Sequence, residues 1–104
     1  MNEATMARVM DQVFEQCKAL RAAGQKEYAH NQDNAFANFE RIGNQLQEDR
    51  KKILLVYALK HWDGIVAYVN GHVSQRESVD GRIGDLITYL CLLQGMIKEE
   101  RGLT

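Results

Sequence analysis

Apolar residues recur at spacings of three and four along most of the chain, the period of an amphipathic helix, and no strand is expected. Together with the absence of proline, the pattern predicts an all-α protein. In a first helix over about residues 3–23, Met6, Val9, Met10, Val13, Phe14, Cys17 and Leu20 form one apolar stripe, and Gly24 follows as a C-cap. The stretch "GQKEYAHNQDN" has no apolar periodicity and reads as a functional loop or a flexible joint. A second, shorter helix is expected to start near Asp33 or Asn34, both good N-caps, with Phe36, Phe39, Ile42 and Leu46 on its apolar side.

The third helix, about 49–71, differs in kind. Its "ILLVYAL" is apolar nearly all round, which places it centrally in a bundle. At about 100° per residue, Leu55, Ala58, Leu59, Trp62, Ile65, Val66 and Val69 share one face, read as core, and Val56, Lys60, Asp63, Gly64 and Ala67 lie opposite. Ser78 caps a fourth helix over about 79–101. Ile83, Leu86, Ile87, Leu90, Leu93 and Ile97 form its core side. Beside them Gly81, Gly84, Thr88, Cys91 and Gly95 make a line of small residues that lets a neighbour approach closely. The expected fold is a four-helix bundle in one domain, residues 1–104, completed by oligomerisation because its central helix is apolar on too many sides for a small monomer to cover.

Composition narrows the function classes. Thirteen Lys plus Arg against fourteen Asp plus Glu leave a net charge of −1, without the basic excess of a nucleic-acid coat. Cys17 and Cys91 both fall in apolar helical patterns and read as buried free thiols. No stretch approaches the roughly 18 apolar residues of a membrane span, and the N-terminus lacks a signal-like apolar core; a cytoplasmic protein is expected. His30, His61 and His72 are scattered rather than clustered as zinc ligands are.

The order "KEYAHNQDNAFANFERI", "LLVYALKHWDGIVAY", "ESVDGRIGDLITYLCLL" resembles the small phage and bacterial helical proteins described as nucleotide modification associated domains. These in turn resemble MazG-like all-α nucleotide pyrophosphohydrolases. The resemblance spans about residues 24–98 and implies a nucleotide-derived ligand, a phage or prophage setting, hence host cytoplasm, and a pocket completed across a dimer. MazG-like enzymes hold magnesium on Glu-x-x-Glu and Glu-x-x-Asp motifs of neighbouring helices. Here "GRIGDLITYL" is similar to the second motif but carries Arg82 in place of its glutamate, leaving Asp85, and no Glu-x-x-Glu occurs.

Cations in place of metal ligands favour holding a phosphate over hydrolysing it, Arg82 through a fork of donors and Lys60 as a point charge. Tyr89 and the loop residues Tyr28 and His30 offer stacking surfaces, Lys26 a further cation, and Asp63 either a ligand contact or an i, i+3 partner for Lys60. Trp62 reads as core. The expected ligand-binding set is therefore Lys26, Tyr28, His30, Lys60, Asp63, Arg82, Asp85 and Tyr89, with no catalytic residue and no metal ligand. The function expected is retention of a nucleotide or cyclic nucleotide without turnover, in the service of sequestering a host defence messenger. Two alternatives stand beside it: a metal-dependent pyrophosphohydrolase, which would need magnesium, and a helical inhibitor of a host enzyme.

Overall fold

Two helix starts follow from capping chemistry. Asp49 is extended and its side chain accepts from the Lys51 N–H at 2.8 Å; Ser78 Oγ accepts from the Gly81 N–H at 3.0 Å. Each satisfies a donor that the first helical turn leaves without an intrahelical partner. The computed structural model describes residues 1–24 and 33–103. It contains α1 (Glu3–Gly24), α2 (Ala37–Leu46), α3 (Arg50–Val69) and α4 (Val79–Glu100). The described residues form no strand, in keeping with the all-α, four-helix expectation. None of their helices is long and apolar enough to cross a membrane.

α2 begins later than expected. Asn34 Oδ1 does accept a backbone N–H, but from Phe36 at 3.0 Å in a local turn, and the helix starts at Ala37. Its other end is tightly made. Gln47 adopts the left-handed conformation with φ 56°, and the N–H groups of Gln47 and Glu48 both return to the Gly43 carbonyl. A Cβ at position 43 would stand 2.7 Å from the Glu48 carbonyl oxygen. Gly43→Ala is therefore expected to destabilise the fold. The helix-propensity gain of about 1 kcal/mol is outweighed by an overpacking cost of about 1–3 kcal/mol, since backbone must move. A urea midpoint unchanged or raised in this variant would show that the turn shifts freely.

α4 packs against α3 and α1, and α3 also against α2. α3 and α4 run antiparallel, since Lys51 meets Glu100 at one end and His61 meets Asp85 nearer the other. The core joins Phe39 of α2, Ile53 and Leu54 of α3 and Met96 of α4, with Phe36, Ile42, Tyr89, Leu92 and Leu93 around it. Leu54 and Met96 have no exposed surface. Gly95 faces Phe36, whose ring would lie 3.1 Å from a Cβ there. Gly84 faces Cys17, whose thiol donates to the Gly84 carbonyl at 3.4 Å. So part of the small-residue line serves close packing, as expected.

The buried face of α3 is not the expected one. Ile53, Leu54, Ala58 and His61 are buried, whereas Leu55, Leu59, Trp62, Val66 and Val69 are exposed, Trp62 to 52% and Val69 to 76%. A helix apolar nearly all round carries two seams, and the other one meets α2 and α4. Ile83 and Leu90 of α4 are also exposed, as is Cys91, while Cys17 is buried; both cysteines are free.

Candidate functional site

The buried face of α3 turns His61 towards α4, where Asp85 and Tyr89 lie one turn apart. Only 7% of the His61 side chain is exposed. Its Nε2 lies 3.5 Å from Asp85 Oδ2 and its Nδ1 3.7 Å from Glu77 Oε2, and its ring centroid is 5.6 Å from that of Tyr89. Glu77, just before the Ser78 cap, gathers the two cations: Lys60 Nζ at 3.4 Å and Arg82 Nη1 at 3.6 Å. Arg82 is only 14% exposed and lies over Gly64, where any side chain would collide with its guanidinium. Glycine at 64 is thus the local condition for Arg82 to cross from α4 to α3.

Charges here are mutually adjusted. Burial alone would raise the Glu77 carboxyl, but the Lys60 hydrogen bond and the charges of Lys60, Arg82 and His61 hold it below the ordinary carboxylate range. Burial, then the Asp85 carboxylate, push the Tyr89 phenol up, so Tyr89 is a hydrogen-bond donor at neutral pH. Two buried nitrogens, His61 Nδ1 and Arg82 Nε, have no hydrogen-bond partner among the described residues.

Asp85 and Tyr89 also border a cleft of about 370 Å³ between α1, α2 and α4, which Leu20, Arg21, Asn38, Phe39, Thr88 and Leu92 help to line. Arg21 donates to the carbonyl of Ala35, which also lines the cleft, and burial lowers its guanidinium from the usual value. A second, more apolar groove of about 760 Å³ runs along the other side of α4 against α1, lined by Met6, Met10, Phe14, Gly81 and Gly84 among others. Asp80 borders this groove and Asp85 the cleft, so the two acids of "DGRIGD" border different cavities.

Four residues of the expected binding set, Lys60, Arg82, Asp85 and Tyr89, come together around His61 and Glu77. The cations face Glu77 rather than the cleft. Asp63 is exposed on α3 and does not join them; Lys60 pairs with Glu77 instead of with Asp63. Lys26, Tyr28 and His30 lie outside the described residues. Sequence reasoning missed His61, Glu77 and Arg21 as site residues. The signal for His61 was its place one helical turn from Ala58 and two from Leu54, on the seam that became the core. Comparison with protein-family models, with curated proteins and with solved structures gave no match.

Proposed function

We propose that the chain holds a nucleotide or cyclic nucleotide in the cleft between α1, α2 and α4, without hydrolysing it, and works as a homo-oligomer. The observation that carries the ligand class is the pairing of Arg21 and Asp85 in one cleft beside Phe39 and Tyr89. A guanidinium suits a phosphate, a carboxylate accepts from base amino or ribose hydroxyl groups, and aromatic walls suit a base. About 370 Å³ falls within the range of small-molecule sites. Asp85 is the sole acid among the described lining residues, which favours retention over the two-motif carboxylate chemistry of a hydrolase. In a phage setting, which rests on the resemblance alone, such retention would sequester a host messenger.

Oligomerisation is supported by an exposed apolar face on α3, where Leu55 is 46%, Leu59 56%, Trp62 52% and Val69 76% exposed. Leu55, Leu59, Trp62, Val66 and Val69 follow alternating steps of four and three, the spacing of a coiled-coil seam, so the face fits the same face of a second copy related by a twofold axis.

Calorimetric titration with nucleoside triphosphates and cyclic dinucleotides, in chelator, tests the ligand reading. Saturable binding with chemically intact ligand is expected, weakened about tenfold or more by Arg21→Ala and by Asp85→Asn, the scale of a charge-assisted hydrogen bond, with helicity retained. No binding of any nucleotide, or metal-dependent release of pyrophosphate or monophosphate, would overturn it.

A further inference from the structure

We infer that His61, Glu77 and Asp85 form a binding site for one first-row divalent cation of the zinc class, pinning α3 to α4 beside the cleft. Ligand atoms of all three lie within 4.8 Å of one another. A tetrahedral ion with bonds near 2.1 Å needs ligand atoms about 3.4 Å apart. Nδ1 stands 3.7 Å from Glu77 and Nε2 3.5 Å from Asp85, so a single ion on one nitrogen requires the other acid, about half exposed, to rotate towards it.

An independent observation points the same way. His61 Nδ1 is buried, aims at Glu77 and has no hydrogen-bond partner among the described residues. A buried polar atom left so costs about 1–3 kcal/mol, and a cation bound through the imidazole draws that ring into use. With one nitrogen on the ion, the other N–H is left to donate to water, the kind of outer contact that orients metal-bound histidines. The imidazole selects zinc-class ions over magnesium, which prefers an all-oxygen octahedron.

Lys60 and Arg82 oppose the ion, Arg82 the more directly because it stands 3.6 Å from the same Glu77 oxygen that His61 faces. Lys60 faces Glu77 Oε1, whereas Arg82 and His61 face Oε2, and a carboxylate has about four lone-pair sites to share. Lys60 is largely exposed and its charge is screened. His61 and Glu77 lie outside the cleft lining; only Asp85 is shared. The ion therefore fixes the edge of the cleft rather than the bound phosphate, and the inference stands independently of the nucleotide reading.

The test uses the metal alone. Metal-free full-length protein is titrated with zinc and with cobalt, followed by cobalt d–d absorption and by the imidazole resonances of His61 and His72. One ion per chain is expected, shifting His61 and leaving the exposed His72 unmoved, with affinity falling more than about tenfold in Glu77→Gln and in Asp85→Asn. Asp80→Asn, which borders the other groove, is expected to bind as the parent does. Absence of saturable binding at millimolar metal would overturn the site, as would shifts at His72 without His61 or equal affinity in all three variants. The resonance shifts are read on the unaltered chain, so an unfolded variant leaves the test decisive.

Discussion

Leu54→Ala and Met96→Ala are each expected to cost about 2–5 kcal/mol, the loss of transferred apolar surface plus the cavity left behind. Both side chains are fully enclosed, Leu54 from α3 and Met96 from α4, and both touch the same cluster with Phe39 and Ile53. Among the described residues only six apolar side chains are buried, so neighbours able to collapse into either cavity are few. Set against a total stability of about 5–15 kcal/mol for ordinary domains, one such change brings the chain close to unfolding. Chemical denaturation followed by circular dichroism gives the answer, and a loss below about 1 kcal/mol in both variants would mean that the stable core lies elsewhere.

Trp62→Glu is expected to convert an oligomer into monomers. Trp62 is 52% exposed at the middle of the seam formed by Leu55, Leu59, Val66 and Val69, the place where interfaces concentrate their binding energy. Loss of a central tryptophan typically costs about 2 kcal/mol or more, roughly thirtyfold in dissociation constant, and a buried carboxylate without a partner adds to this. Sedimentation of the parent chain and the variant at micromolar concentration separates the outcomes. An 11.9 kDa species for the parent would sink the self-association reading, and an unchanged oligomer in the variant would move the interface to another face. Retained helicity is expected, because the intramolecular core uses the opposite seam.

That seam also explains how far the sequence could be read. The start of α4 is legible because Ser78 is a cap whose chemistry is local. The start of α2 is not, because Asn34 satisfies a turn instead of a helix. Periodicity marks both stripes of α3, but cannot tell which faces its own chain, so Trp62 reads as core and Leu54 as one apolar residue among many. In the site, Asp85 and Tyr89 are legible as neighbours one turn apart on α4. Their meeting with His61 and Glu77 depends on the antiparallel docking of α3 on α4, information that spacing along either helix does not contain. The local pairing expected for Lys60 with Asp63 gave way to Glu77 for the same reason, since the tertiary contact brings a carboxylate already surrounded by cations.

The far end of that docked pair has a consequence for how the chain folds. Arg50 and Lys51 occupy the first turn of α3, where the helix dipole disfavours cations, and Glu99 and Glu100 lie at the end of α4 between Lys98 and Arg101. Across the contact Arg50 lies 3.0 Å from Glu99 and Lys51 2.8 Å from Glu100, and Glu40 of α2 stands 3.4 Å from Arg50. What is unfavourable at the start of α3 alone becomes a match once the two ends meet. Helix growth and hairpin closure are therefore coupled, and partly assembled chains with only one of the two helices formed are disfavoured.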